Sequence, residues 1–175
     1  YPPLKIFASN FAGGKTRIAG NISSQYLSAL LMIAPYAQSP VEIELSTQLN
    51  SKPYIDMTLS IMRDFGMDVK RDEYKSFHIR PKTYSPIPNY SIESDASAAS
   101  YFFAAPAICG GTVRVENISR KSVQGDIDFL DVLAEMGCII NETLPPPSLP
   151  QDGEGTDSPP ALRGVRGGHI EVSCD

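Results

Sequence analysis

The chain has 175 residues, 42% hydrophobic and 20% charged, enough to build the core of one ordinary domain or two small ones. Its net charge of −5 excludes the broad basic stripe that nucleic-acid binding uses and leaves capture of an anion to a local site. No apolar run reaches the ~18 residues of a membrane span.

The first predicted element is a strand over residues 15–19, "KTRIA". A helix follows from Ser23 to about Ala37; Leu27, Leu30, Leu31 and Ala34 have helical spacing, and Met32 and Ile33 make it apolar on most sides, so it is expected to be buried on nearly every face. Strict alternation marks "VEIELS" (41–46) as a strand. Pro53 suits the first position of a second helix, which continues from Tyr54 to Phe65 until Gly66 stops it. Two short strands, "MDVKRDE" and "SFHIRP", complete the first half.

The second half repeats this order. "NYSIES" (89–94) reads as a strand, and Asp95 caps a helix from Ala96 to about Cys109, apolar nearly all round. A strand at 112–118 follows. Asp126 is expected to cap a further helix with Ile127, Leu130, Val132, Leu133 and Met136 facing the core. Strands at 138–143 and 169–175 close the unit. Each half therefore reads β-α-β-α-β-β, and "MRDFGMDV" (62–69) echoes "LAEMGCII" (133–140) as helix end, Gly stop and strand. The junction falls near Tyr90–Asp95, and alternating strands with apolar helices place sheets outside and helices inside. Residues 144–168 are rich in Pro and Gly and read as a disordered insertion between two strands of a hairpin.

Several groups are better explained by structure than by chemistry. Gly14-Lys15-Thr16 ends like a phosphate loop, but Ser9 stands where that motif needs Gly, and a strand follows instead of a helix. Asp126, Asp128 and Asp131 suit a helix's first turn better than a metal site. His78 and His169 sit on alternating strands without a spaced partner. Cys109, Cys138 and Cys174 are odd in number and far apart, which suits small apolar roles in a reducing compartment. The chain begins at Tyr1 instead of Met and is expected to be part of a longer polypeptide.

The strongest chemical signal is "GNISSQYLSALLM" (20–32). Gly20-Asn21 turns the chain from strand to helix. Ser23, Ser24 and Gln25 then lie at the helix start, where backbone N–H groups and the positive dipole end favour an anion. Two hydroxyls and an amide add uncharged donors. The plain alternative is that Asn21 or Ser23 caps the helix and the others are incidental. The next helix start, "NSKPYID" (50–56), offers Ser51 and Tyr54, and in a βαβα unit the two starts tend to face one edge. The matching start in the second half carries Asp95, whose carboxylate would repel an anion.

The stretches "PPLKI" (2–6), "GNISSQYLSALLMIAP" (20–35), "SKPYIDMTLSIMRDFGMDV" (51–69), "IESDASAASYFFAA" (92–105) and "QGDIDFLDVLAEMGC" (124–138) resemble the enolpyruvylshikimate-phosphate synthase family. The resemblance implies an α/β fold, the inside-out α/β barrel of repeated βαβαββ units in two lobes. Two units are present. Residues 1–91 would be the last unit of one lobe, and residues 92–175 the first unit of the other, with the insertion at 144–168.

The resemblance implies transfer of the enolpyruvyl group of phosphoenolpyruvate to the 5-hydroxyl of shikimate 3-phosphate, with release of phosphate. It places Ser23, Ser24 and Ser51 on the shikimate phosphate, Gln25 between the shikimate ring and the enolpyruvyl donor, and Tyr54 beside the ring and its phosphate. The family's lysine, arginine and general-base segments have no counterpart here. No catalytic residue, cofactor or metal is therefore assigned. The partners implied are shikimate 3-phosphate, phosphoenolpyruvate and the remaining segments of the parent enzyme, with neither nucleic acid nor membrane. The location implied is the cytoplasm, or a plastid in a plant or alga. The alternative is a non-catalytic phosphate-binding or scaffold fragment. Pro106 departs from the family pattern, late in its helix, and would free the carbonyl of Phe102 or bend the last turn.

Overall fold

Val41, Ile43 and Leu45 alternate with Glu42 and Glu44, so a strand here has one apolar and one charged face. In the computed structural model, which describes residues 3–5, 7, 10–144 and 168–174, this strand is β2 (Val41–Leu45). Parallel to it lies β1 (Gly14–Ile18), with Lys15 opposite Glu42 and Arg17 opposite Glu44. The Lys15 amine reaches Glu42 at 2.9 Å and Glu44 at 2.5 Å, and Arg17 reaches Glu44 at 3.1 Å. The lysine of the phosphate-loop lookalike is thus committed to strand carboxylates. Two short strands, β3 (Lys70–Asp72) and β4 (Ser76–Ile79), complete an antiparallel side, giving the order β1-β2-β4-β3.

The chain divides into two compact units, Tyr1–Pro86 and Ile87–Asp175. In the first, α1 (Ser24–Ile33) is followed by a 3₁₀ turn at Ala34–Tyr36, and α2 spans Lys52–Asp64. Leu27, Leu31 and Ala34, then Ile55, Leu59 and Met62, pack with Val41, Ile43, Phe77 and Ile79 in one buried cluster. Burying a Leu, Ile or Phe side chain contributes about 1.5–3 kcal/mol, which makes this cluster the main support of both helix starts. The expectation of an α1 buried on nearly every face is corrected: Tyr26, Met32 and Ile33 are at least half exposed. One sheet and one neighbouring helix cover only one side of it.

The second unit contains α3 (Ala96–Cys109), β5 (Gly111–Glu116), a 3₁₀ turn at Gly125–Asp128 running into α4 (Phe129–Glu135), β6 (Ile139–Thr143) and β7 (His169–Cys174). Its strands run β5-β7-β6, all antiparallel, the same pattern as β2-β4-β3. The repeat extends to hydrogen bonds. At the end of α2, Met67 N–H donates to Met62 and Gly66 N–H to Arg63; at the end of α4, Cys138 N–H donates to Leu133 and Gly137 N–H to Ala134. Both glycines have positive φ, 78° and 97°, as this helix-ending motif requires.

Four further expectations for this unit are corrected. Residues 89–94 form no ladder strand: Ser94 N–H donates to Asn117, while the Asn117 side-chain amide takes the Ile92 carbonyl that a neighbouring strand would use. Asp126 is not a cap; it lies inside the 3₁₀ turn, and its carboxylate accepts from Ser97 at 2.6 Å. Of the expected core face, Ile127, Leu130 and Leu133 are buried, but Val132 and Met136 are exposed, as are Tyr101, Phe102 and Ile108 on α3. The cysteines are not three isolated apolar residues. The antiparallel register that sets Ile139 opposite Ser173 brings Cys138 to Cys174, with Cα atoms 4.7 Å apart and the sulfurs bonded; Cys109 is exposed.

Pro106 is buried within α3, which continues to Cys109. Except for its end residues Leu144 and Gly168, the expected insertion lies outside the described residues.

Candidate functional site: two helix starts in the first unit

Ser23 stands at the N-cap of α1 with extended backbone, and its hydroxyl oxygen accepts the Gln25 N–H at 3.2 Å. It therefore does cap the helix. Accepting a bond leaves the hydroxyl proton to donate elsewhere. Ser24 is buried, at 8% exposure, and Gln25 is exposed. No acidic residue lies in the first turn of α1 or α2, so neither start opposes an anion.

At the second start, Ser51 holds a left-handed backbone, φ 56° and ψ 52°, and its side chain makes no cap bond. A non-glycine residue rarely adopts this conformation. Its carbonyl accepts the Tyr54 N–H at 3.2 Å, and the Tyr54 ring is half exposed. Lys52 begins the helix and Pro53 occupies its second position, one place later than the sequence reading put it.

The structure brings these two starts together. About one turn into α1 and nearly two into α2, the hydroxyls of Ser28 and Thr58 meet at 2.9 Å. Thr58 spends its proton on the Tyr54 carbonyl, at 2.8 Å, so Ser28 is the donor. Ahead of the helices, the Asn50 side-chain amide donates to the Asn21 carbonyl at 2.9 Å, and Asn50 N–H donates to the Gly20 carbonyl at 3.1 Å. The Thr47 hydroxyl accepts from Gly20 N–H and Asn21 N–H, at 2.9 and 3.1 Å, and donates to the Asn21 side-chain oxygen at 3.0 Å. The corresponding start in the second unit differs as expected: the Asp95 carboxylate accepts from Ser97 and Ala98 N–H at 2.8 and 3.2 Å.

A second polar cluster braces α2. Asp56 accepts from Arg71 at 2.6 Å and from the Tyr74 hydroxyl at 2.5 Å, while Lys52 and Arg71 stand over the Tyr74 ring. The hydrogen bond to Asp56, then burial, pushes the Tyr74 phenol above its ordinary value. The same carboxylate holds the Arg71 guanidinium up.

The sequence reading named Ser23, Ser24, Gln25, Ser51 and Tyr54 but missed Asn21, Thr47 and Asn50 as the groups that join the two starts. The signal was a polar "STQLN" loop (46–50) ahead of a helix; which backbone groups such side chains take depends on a partner loop far away in sequence. Among the described residues no group of His, Cys, Asp and Glu could hold a metal ion.

Comparison with known proteins agrees with this architecture. A family model, EPSP synthase (3-phosphoshikimate 1-carboxyvinyltransferase), matches residues 1–152. The 3-phosphoshikimate 1-carboxyvinyltransferase of a Sulfurovum species is 52% identical over 138 residues, covering 78% of this chain and 32% of that protein. The enzyme of the same name from Psychromonas ingrahamii is 53% identical over 141 residues, covering 80% of this chain and 33% of its own. The chain therefore spans about a third of the length of these relatives. A solved EPSP synthase from Acinetobacter baumannii superimposes with a TM-score of 0.58 over 93% of this chain and 32% of that one, at 18% identity, which supports the inside-out α/β enolpyruvyl transferase fold. With the matched sequence running through both units and the fold shared, the chain belongs to the EPSP synthase family.

Proposed function

We propose that these residues form part of the acceptor site of an enzyme that transfers the enolpyruvyl group of phosphoenolpyruvate to the 5-hydroxyl of shikimate 3-phosphate. The observation that carries the reading is the joining of the two helix starts, through the Asn50 bonds to Gly20 and Asn21, in a chain of this family. Ser23, Ser24 and Ser51 would donate to the phosphate of shikimate 3-phosphate, Gln25 would lie between its ring and the enolpyruvyl donor, and Tyr54 would pack beside the ring. The positive dipole end of each helix favours the phosphate there.

Uncharged donors suit binding. Charge developing during the reaction needs fixed cations and an acid–base group, and neither first turn carries an acid. Those groups belong to the remaining segments of the parent enzyme in this reading, which takes residues 1–91 as the last βαβαββ unit of one lobe and 92–175 as the first of the other. The parent enzyme is assigned in this reading to the cytoplasm, or to a plastid in a plant or alga. No helix among the described residues is long and apolar enough to cross a membrane.

Titration of the isotope-labelled chain with shikimate 3-phosphate tests the proposal. The amides of Ser23, Ser24, Gln25, Ser51 and Tyr54 should shift together and fit one Kd. The chain alone, given both substrates, should release no phosphate. Absence of shifts at both starts, or turnover by the chain unaided, overturns the reading.

A further inference from the structure

The Thr47 hydroxyl is saturated: it accepts the N–H groups of Gly20 and Asn21 and donates to the Asn21 side chain. A hydroxyl offers one proton and two acceptor sites, and all three are used on one turn. Asn50 adds two more bonds to the same turn, from its backbone N–H to the Gly20 carbonyl and from its side-chain amide to the Asn21 carbonyl. Upstream, Ser46 N–H donates to the Ile18 carbonyl at 2.9 Å. The 46–50 loop thus takes both backbone N–H groups and both carbonyls of the Gly20–Asn21 turn. Two residues after that turn stands Ser23, and directly after Asn50 stands Ser51 in its left-handed conformation.

From this we infer that Thr47 and Asn50 are positioning residues: they lock the turn before α1 to the loop before α2, so that Ser23, Ser24 and Gln25 keep a fixed register against Ser51 and Tyr54. The inference rests on the proposed acceptor site. It adds what makes two helix starts act as one. The core cannot do this alone: Leu49 anchors the 46–50 loop in the buried cluster, but that cluster includes neither Gly20 nor Asn21, and the hydrogen bonds join their turn to the loop. Gly20 is suited to the arrangement, because any Cβ there would lie 3.0–3.2 Å from the Thr47 and Gln48 carbonyl oxygens and Leu49 Cα.

The test compares the 175-residue chain with Thr47→Val, Thr47→Ser and Asn50→Ala, by amide hydrogen exchange without ligand and by binding of shikimate 3-phosphate. Thr47→Val should speed exchange at Gly20 and Asn21 by about tenfold or more while Leu31 and Leu59 keep their protection. It should weaken shikimate 3-phosphate by about tenfold but inorganic phosphate, which one helix start can hold, by less than about twofold. Asn50→Ala should show the same split. Thr47→Ser, which keeps the hydroxyl, should restore both readouts.

Unchanged exchange at Gly20 and Asn21 in Thr47→Val overturns the inference, as does equal weakening of both ligands or loss of protection throughout the helices, which would mark a merely structural role. A wild-type chain that binds no shikimate 3-phosphate would instead overturn the proposed function. The local exchange effect would then still decide whether the two loops are locked.

Discussion

Gly20 has little room to change. It is buried, and a methyl group there would press on backbone atoms of residues 47–49, which cannot rotate away as a side chain can. Gly20→Ala should cost about 1–3 kcal/mol, as overpacking typically does, read as a lower urea midpoint with unchanged slope. Tyr74 gives a pH-dependent counterpart. Its phenol must stay protonated to donate to Asp56, and its folded value is raised above 10.0. The contribution is therefore complete below the unfolded value and lost as pH rises through the folded one. Wild type should lose stability relative to Tyr74→Phe on going from neutral to strongly alkaline pH; parallel pH curves for the two would contradict the assignment. At this scale the donors at the helix starts were readable in the sequence, because a run of Ser, Ser and Gln before an apolar helix has a local meaning. Thr47, Asn50 and the Asp56–Arg71–Tyr74 cluster were not, because their partners lie well away along the chain.

Among elements, the alternating strands and both long helices of the first unit were legible from periodicity and stop signals. The repeat of Gly66 and Gly137 proved more literal than the sequence alone required, since both end their helices with the same pair of backbone bonds. Residues 89–94 alternate well enough for a strand, yet Asn117 takes the carbonyl a ladder would need. Asp126 sat in a plausible cap position, but the chain enters α4 through a 3₁₀ turn and the carboxylate serves Ser97. Both misreadings involve side chains competing with regular backbone pairing. The Cys138–Cys174 bond likewise follows from the β6–β7 register, which spacing in sequence does not reveal. Protein purified without reductant should show one reactive thiol, Cys109, under denaturing conditions. Reduction should lower its stability by about 2–4 kcal/mol, seen as a fall in Tm. Three reactive thiols before reduction would contradict the pairing.

The whole chain is two units with separate hydrophobic cores, and the candidate site lies wholly in the first. The second unit repeats the order of the last three strands but not the chemistry, because Asp95 puts a carboxylate where the first unit has neutral hydroxyls. The α/β class was legible because both halves alternate strands and helices, and the inside-out barrel followed from the family resemblance. The extent of burial was overestimated: the apolar helices expose Tyr26, Met32, Tyr101 and Ile108, since within each unit a helix has one sheet to cover it. As the chain spans about a third of its relatives, binding without turnover is the behaviour expected of it. The most direct check is intermolecular NOE spectroscopy on the labelled chain with shikimate 3-phosphate. One bound molecule should give contacts both to Gln25 at the start of α1 and to the Tyr54 ring at the start of α2. Contacts to one start only, or to neither at saturating ligand, would contradict a single site built from both.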